Sequence, residues 1–365
     1  MTSPRLHFFG SPMIRNAQYS LLLLWALCFA SCRNEPASNI PDVSDIHVDI
    51  DLTRFDQLLF QDTTIDAARI HKLMTDYPAF TDVYFNHVIP GADEPEVNKD
   101  PELQVQNIQA WIKHPRTRWL YDTVQQVFPK VDDLKKGLTE AFTYAKYYFP
   151  EKETPRFFTT LSDFGYFPYI YAEDSLKDGI GISLEMFLGE KFPYRKFNGN
   201  TEAFSDYLVW SYNKQYLVKR TLEVWVDDLA GQPPGNRLID IMIHNGKKLY
   251  IMQALMPRTP DTIIMNYPEQ KMKWVKDNER NIWDLFATEK LLYETSLNKI
   301  QKLIGPSPDS PGMPHEAPGN TGSWLGWQIV KAYMKKHPET TLQQLLTLDN
   351  AQEILDQSGY RPPRK

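Results

Sequence analysis

The sequence TGSWLGWQIVKAYM, Thr321 to Met334, decides the fold of this chain. Its apolar side chains fall on nearly every face of a helix, and a helix that is apolar all round is normally buried. Gly326 lies between two tryptophans, Trp324 and Trp327, where the missing side chain lets a second backbone approach closely. The pattern therefore predicts a central core helix against which the rest of the chain packs.

A proline-rich segment precedes this helix. It reads GPSPDSPGMPHEAPGN, residues 305–320, and it carries five prolines. Proline has no main-chain N–H to donate, so the segment is predicted to be a shaped loop rather than a helix or a strand. Long loops in compact domains are often functional. Two interpretations of Trp324 and Trp327 therefore stay open: they belong to the core, or they line a cleft or partner surface beside the loop.

The composition is that of a globular protein with a sizeable core. The 365 residues suffice for one large or two ordinary domains, and 42% of them are hydrophobic. The formal net charge is −6, with 40 basic and 46 acidic residues. Nucleic-acid binding requires a concentrated basic surface. The sequence gives no indication of one, so no nucleic-acid partner is expected.

The N-terminus has the pattern of a bacterial lipoprotein signal. Two basic residues, Arg5 and Arg15, precede the short apolar run LLLLWALCFASC, which ends at Cys32. The run is shorter than the roughly 20 residues of a transmembrane helix. Because Cys32 follows Ala30 and Ser31, the site resembles a lipobox, which implies cleavage before Cys32 and acylation of its thiol. The alternative is an ordinary secretory signal with an incidental cysteine.

Cysteine content agrees with this assignment. The sequence holds two cysteines, Cys28 within the signal and Cys32 at its end, so the mature chain has no internal disulfide. We predict a signal peptide over residues 1–31, a lipidated flexible tether over 32–42, a globular domain over 43–358 and a C-terminal tail over 359–365.

Most of the globular part has helical periodicity, for example near 103–114 and 131–148. The segment 156–189 differs, because it consists of short stretches rich in β-branched and aromatic residues with turn residues between them, which predicts a small β-meander. Alternating apolar residues from Ile46 to Ile50 predict one further strand. The predicted fold is α+β, mainly α-helical, in a single globular domain.

Candidate catalytic residues are few. Asp163, Glu173 and Asp174 fall near the predicted sheet edge, where carboxylates can serve acid–base chemistry or bind a metal. The alternative is that they are solvated turn and cap residues, which we favour.

The motifs of the common hydrolases are absent from the sequence. It contains no HExxH, no GxSxG and no Walker A loop, and no cysteine nucleophile remains once Cys32 is acylated. His315 and Glu316 match the first two positions of HExxH, but Gly319 occupies the position of its second histidine. His244, beside Asn245 and Gly246, is predicted to lie at a helix bend. We therefore expect no enzymatic activity, no cofactor and no metal site.

Several longer segments together resemble one known family. These are YAEDSL and GISLEMFLG, MIHNGKKLYIMQALMP, NYPEQKMKWVKDNERNIWDLF, LLYETSLNKIQKLIGPSPDSPG and GSWLGWQIVKAYM. They are similar to the gliding motility lipoprotein GldB family of the Bacteroidetes, and with the lipobox the likeness covers most of the chain. Gln253 departs from the acidic residue that the family has at that position.

The resemblance implies a function in the cell envelope. By this likeness the chain is a lipoprotein that is anchored by Cys32 to a membrane facing the periplasm, with the choice of inner or outer membrane left open. Its expected partners are the lipid bilayer and other lipoproteins of the gliding motility and type IX-type secretion machinery. The expected function is a non-enzymatic component of that machinery. The alternatives are an envelope hydrolase with an unorthodox site, which would use His244 or His315, and a ligand-binding lipoprotein.

A second, more distant likeness concerns the fold alone. The order of small sheet, helices and Gly-Trp helix is similar to that of predicted zinc-dependent proteases, which carry HExxH. The corresponding helix here falls within residues 201–225, a range without histidine. A shared fold would therefore have lost its zinc chemistry.

Overall fold

The computed structural model describes residues 40–62, 65–92, 100–197 and 202–363. The chain divides into two units between Asp42 and Val43. The predicted signal peptide of residues 1–31 and the acylated Cys32 lie outside the described residues.

Helices make up most of the second unit, as predicted. Those before the main part of the sheet are α1 Phe55–Phe60, α2 Ala67–Asp76, α3 Pro78–Val83, α4 Pro101–Lys113, α5 Pro115–Val127 and α6 Asp132–Tyr148. Those after it are α7 Asp206–Val209, α8 Lys214–Ala230, α9 Leu238–Leu255, α10 Asp261–Met265, α11 Glu269–Thr288, α12 Leu297–Ile304, α13 Thr321–Lys336, α14 Leu342–Thr347 and α15 Ala351–Ser358.

A four-stranded sheet accompanies the helices and confirms the α+β class. Its strands are β1 Leu52–Thr53, β2 Arg156–Thr160, β3 Tyr169–Ala172 and β4 Asp178–Ser183, in the order β1-β2-β4-β3. The predicted meander is wrong in its connectivity, because β2 pairs parallel with β4 and only β3 and β4 are antiparallel neighbours. The physical reason is burial: β2 and β4 are almost wholly buried and occupy the centre, while the half-exposed β3 takes the edge.

Strand β2 carries apolar side chains on both of its faces. Adjacent residues of a strand point to opposite faces. Phe158 stacks on Phe80 of α3 with 4.0 Å between ring centroids, while Phe157 packs edge-on against Phe142 of α6 at 5.4 Å. Phe142 in turn contacts Trp225 of α8 at 5.2 Å. The sheet therefore lies between two helical layers, and α8 contacts its edge strand β3.

The central helix is α13, as the sequence predicts. Its contact with α9 is the most extensive between two elements of the described chain. A Cβ atom on Gly326 would lie 1.8 Å from the carbonyl oxygen of Met242, and one on Gly246 would lie 2.3 Å from the carbonyl carbon of Gly326. The two main chains touch at these glycines, which confirms the predicted close approach at Gly326.

The predicted bend at His244 is wrong. Helix α9 runs without interruption from Leu238 to Leu255. Gly246 is present because the main chain of α13 passes against it, not because the helix turns there.

A buried carboxylate holds the turn that follows β2. Oε1 of Glu185 accepts hydrogen bonds from the Ser162 main-chain N–H at 2.6 Å, from the Ser162 hydroxyl at 2.7 Å and from the Phe164 main-chain N–H at 3.3 Å. The turn needs this support because Asp163 and Phe164 both have positive φ, at 52° and 65°. Glu185 is fully buried, and burial raises the pKa of its carboxyl to about 7 in spite of these hydrogen bonds.

Replacement of Gly326 tests the helix contact. We expect Gly326→Ala to lower the free energy of unfolding by at least about 3 kcal/mol, because the new methyl group meets main-chain atoms that have no room to move. Gly137→Ala is the control, because a Cβ there meets only the Val218 side chain, at 2.6 Å. The free energy of unfolding of Gly137→Ala, measured in urea, is expected to lie within about 1 kcal/mol of the wild-type value. Equal stability of the two variants would contradict the contact.

Glu185→Gln tests the buried carboxyl. A carboxyl whose pKa rises from 4.5 to about 7 on folding binds its proton more tightly in the folded state, so folded stability falls as pH rises through that window. The loss amounts to roughly 3 kcal/mol. The stability difference between wild type and Glu185→Gln should therefore change by about that amount between pH 4.5 and pH 7.5 in urea unfolding. The exposed Glu190→Gln serves as control, and a pH-independent difference for Glu185→Gln would refute the assignment.

Candidate binding cleft

A cleft of about 750 Å³ opens between α8, α9 and the proline-rich loop. Helix α8 contributes Lys219, Arg220, Glu223 and Asp227, and α9 contributes Asn245, Lys248, Leu249 and Met252. The end of α10 and the turn after it add residues 264–268, and the loop and start of α13 add residues 306–308, 318–320 and 323. The proline-rich loop therefore forms one wall of the cleft, without Trp324 or Trp327.

The loop is fixed by its own hydrogen bonds. The Ser310 hydroxyl donates to the carbonyl of Pro318 at 2.7 Å and lies 2.8 Å from the Thr321 hydroxyl. The main-chain N–H of Gly319 donates to the carbonyl of Ser307 at 3.0 Å. The amide of Asn245 joins the loop to α9, because its Nδ2 donates to the Ile304 carbonyl at 3.2 Å and to the Ser323 hydroxyl at 2.9 Å. These hydrogen bonds hold the loop, and with it this wall of the cleft, in one conformation.

An ion-pair cluster on α8 forms the charged part of the cleft. Lys219 is only 2% exposed, and its ammonium group bonds Oε1 of Glu223, one helical turn away. Arg220 bonds the other oxygen of Glu223 at 3.1 Å. Burial opposes ionisation of Glu223, but the two cations outweigh it and lower the pKa of its carboxyl to about 2. Glu223 is therefore a permanent anion near neutral pH.

The other charged residues of the cleft have partners as well. Lys248 of α9 pairs with Asp227 of α8 at 3.1 Å. Asp206 pairs with Arg195 at 3.2 Å. The Lys271 ammonium donates to main-chain carbonyls of the loop, the nearest being that of Glu316 at 3.0 Å. Among the described residues, Lys219 and Arg220 share one carboxylate and Lys271 faces main-chain carbonyls, so the cleft lining keeps an excess of positive charge.

Two asparagines differ from the rest of the lining. Asn266 and Asn320 both have left-handed backbone, with φ of 57° and 63°, and Oδ1 of each is buried without a partner among the described residues. Tyr267 follows Asn266 and Gly319 precedes Asn320, and the Tyr267 hydroxyl donates to the Gly319 carbonyl at 2.6 Å. The buried Tyr267–Gly319 hydrogen bond therefore joins the two segments that carry these asparagines.

Comparison with known families identifies the chain. The family model described as gliding motility protein GldB matches residues 36–362. The chain belongs to the GldB family. No curated protein and no solved structure matches it. The family resemblance predicted from the sequence is thereby confirmed, and with it the assignment to gliding motility lipoproteins.

The site residues predicted from the sequence lie away from the cleft of this GldB family member. Trp324 and Trp327 are 2% and 0% exposed, so they belong to the core and form no exposed surface. They pack edge-on at 5.8 Å. His244 is buried and its imidazole hydrogen-bonds the main chain at Gly231, while burial and two lysines lower its pKa to about 4. His315 is exposed on the loop outside the cleft lining.

The three candidate carboxylates do not form one site. Asp163 pairs with Arg116 at 3.1 Å. The Glu173 carboxylate accepts from the Tyr171 hydroxyl at 2.8 Å, and that of Asp174 accepts from the main chain of its own hairpin turn. The sequence analysis favours turn and cap functions for all three. Asp174 has such a function, whereas Asp163 and Glu173 form ion pairs, Glu173 with Arg156 at 3.3 Å.

Sequence reasoning missed the residues that line the cleft on α8. Lys219 and Glu223 are four apart on one helix face, the spacing at which HExxH places its two zinc-binding histidines. A lysine ammonium that is ion-paired to a carboxylate is not a zinc ligand, so this donor set does not fit the metal. Within the described ranges, no three His, Cys, Asp or Glu side chains are grouped where they could hold a metal ion. A Lys–Glu pair at this spacing is common on helix surfaces, which is why the sequence gives no signal.

Across the described part of the chain, none of the helices has the length and apolarity needed to cross a bilayer.

A double-mutant cycle tests the ion pair on α8. Glu223→Gln leaves the Lys219 ammonium buried without its anion, so it should lower the free energy of unfolding by about 3 kcal/mol. Lys219→Met should cost less, because Glu223 keeps Arg220 and is partly exposed. The double variant should be more stable than Glu223→Gln alone. Urea unfolding of the four proteins measures this, and additive losses would show that the pair is not coupled.

Proposed function

We propose that this GldB family member is a lipid-anchored envelope protein that supports the gliding motility or type IX-type secretion machinery by binding a partner, without catalysing a reaction. Family membership supports the association with gliding motility. The sequence LLLLWALCFASC supports anchoring through an acylated Cys32. The protein would face the periplasm.

The ion-paired carboxylate of Glu223 is the observation that carries the non-enzymatic part of the proposal. A general acid or base works best with a pKa near the operating pH. The Glu223 carboxyl, with its pKa of about 2, stays ionised at pH 7, and Lys219 and Arg220 occupy its oxygens. His244, with its pKa of about 4, stays neutral and lies outside the cleft lining. Neither Glu223 nor His244 is therefore suited to transfer protons at neutral pH.

Complementation tests the proposal in a gliding bacterium whose own GldB family gene is deleted. Cys32→Ala should fold but fail to restore gliding, because it lacks the acyl anchor. Cys28→Ala, which changes the other cysteine within the predicted signal, should restore gliding and serves as the matched control. The double variant Lys219→Met/Glu223→Gln should also restore gliding, because a structural ion pair is replaceable by neutral side chains of similar size.

Two outcomes would contradict the proposal. Full gliding with Cys32→Ala would refute the anchor. Turnover of an envelope substrate by the purified protein, lost in Lys219→Met/Glu223→Gln at wild-type thermal stability, would refute the absence of catalysis.

A further inference from the structure

We propose that the turn of residues 162–166, which follows β2, is a pH-sensitive latch. The neutral carboxyl of Glu185 holds this turn closed, and ionisation of the carboxyl opens the turn and releases Phe164 from the aromatic side chains that it contacts. The latch belongs to the fold and operates whether or not the cleft binds a partner.

One oxygen of Glu185 supports the whole turn. Its Oε1 accepts two hydrogen bonds from Ser162 and one from the main-chain N–H of Phe164. The Ser162 hydroxyl also accepts from the Tyr166 main-chain N–H at 3.1 Å, so the group that donates to Glu185 closes the turn as well. Loss of the bonds to Oε1 therefore removes the support of both ends of the turn.

The surroundings of Glu185 oppose its ionisation. The side chain is 0% exposed, and the donors that bond its Oε1 are all uncharged groups. Its second oxygen, Oε2, is buried without a hydrogen-bond partner among the described residues. A buried carboxylate is costly unless a cation or further donors compensate its charge. The geometry therefore favours the neutral form while the turn is closed, in agreement with the raised pKa of this carboxyl.

The other titratable groups that face Glu185 are phenols. Tyr84 follows α3, Tyr169 belongs to β3 and Tyr194 follows β4, and each lies close enough to interact with the charge of Glu185. Burial raises the pKa of all three phenols above its usual value. They keep their protons near neutral pH, so the carboxyl is the group of this set that titrates there.

The turn itself carries one further titratable group. Asp163 pairs with Arg116 of α5 at 3.1 Å, and His114 also interacts with its charge. Burial raises the pKa of the Asp163 carboxyl, against the effect of these two cationic groups. An experiment on the latch must therefore separate Asp163 from Glu185.

The closed turn is a strained segment near the surface. Asp163 and Phe164 both hold left-handed backbone, which side chains other than glycine rarely adopt. The next two residues, Gly165 and Tyr166, are exposed to solvent. Movement of this short segment therefore suffices to hydrate Glu185, and the core helices need not separate.

Phe164 connects the latch to a partly exposed aromatic cluster. Its ring stacks with those of Phe192 at 5.8 Å and Phe197 at 5.7 Å. Phe197 stacks in turn on Trp119 of α5 at 4.9 Å, and Trp119 is 44% exposed. An open latch withdraws Phe164 and exposes aromatic surface beside α5.

Opening becomes more favourable as pH rises. Water solvates Glu185 in the open turn, so its pKa returns to about 4.5, whereas the pKa in the closed turn is about 7. The closed turn binds the proton more tightly, so its stabilisation is complete below pH 4.5 and is lost as pH rises through 7. The ratio of open to closed turn should increase about 70-fold between pH 5 and pH 8.

Hydrogen exchange of the full chain in detergent micelles tests the latch. We expect the protection of the amides of residues 162–166, corrected for the intrinsic pH dependence of exchange, to fall about 70-fold between pH 5 and pH 8. At pH 8 these amides should exchange at least about tenfold faster than those of α13, because the latch opens without global unfolding. Protection that does not depend on pH, or equal exchange in the turn and in α13, would overturn the proposal.

Two variants assign the effect to one carboxyl. Glu185→Gln keeps the size and the acceptor oxygen but cannot ionise, so the protection of the turn should no longer depend on pH. Asp163→Asn is the matched control, because it removes the other carboxyl of the turn, and it should keep the wild-type pH dependence. A pH dependence that persists in Glu185→Gln, or that disappears in Asp163→Asn, would overturn the assignment. If Glu185→Gln does not fold, the wild-type comparison of the turn with α13 still decides the outcome.

Discussion

The main chains of α9 and α13 touch at Gly246 and Gly326, and this contact positions most of the features described above. Neither glycine can carry even a methyl group while the helices keep their separation. The contact fixes α9, which supplies one wall of the cleft, against the start of α13, where the proline-rich loop ends. Asn245, directly before Gly246, reinforces it by bonding the Ser323 hydroxyl at 2.9 Å. Helix packing therefore sets the distance between α9 and the start of α13, and the proline-rich loop is attached at that start.

Helix α8 supplies the third wall of the cleft and carries its buried ion pair. Buried ion pairs add little net stability, because desolvation offsets most of their attraction. Their consequence here is chemical: Lys219 and Arg220 hold the Glu223 carboxylate in its ionised form.

The sequence predicts the core better than the site. The all-round apolar pattern of α13 and the glycine between its tryptophans identify the central helix, because burial leaves a clear signal in residue type. The connectivity of the sheet and the continuity of α9 through Gly246 were predicted wrongly, because both depend on contacts between distant segments. The same holds for the cleft. Asn266 and Asn320 are 54 positions apart in the sequence, and no local pattern shows that the Tyr267–Gly319 hydrogen bond brings their segments together.

Site-specific photo-crosslinking in living cells tests the central claim, that this protein works by binding a partner at its cleft. A photoreactive amino acid at Leu249 faces the cleft, and the same group at Tyr250, the next residue of α9, lies outside its lining. The account predicts that the Leu249 position captures an envelope protein, identified by mass spectrometry, at a yield well above that of the Tyr250 position. Equal yields at the two positions, or capture of lipid or glycan alone, would contradict it.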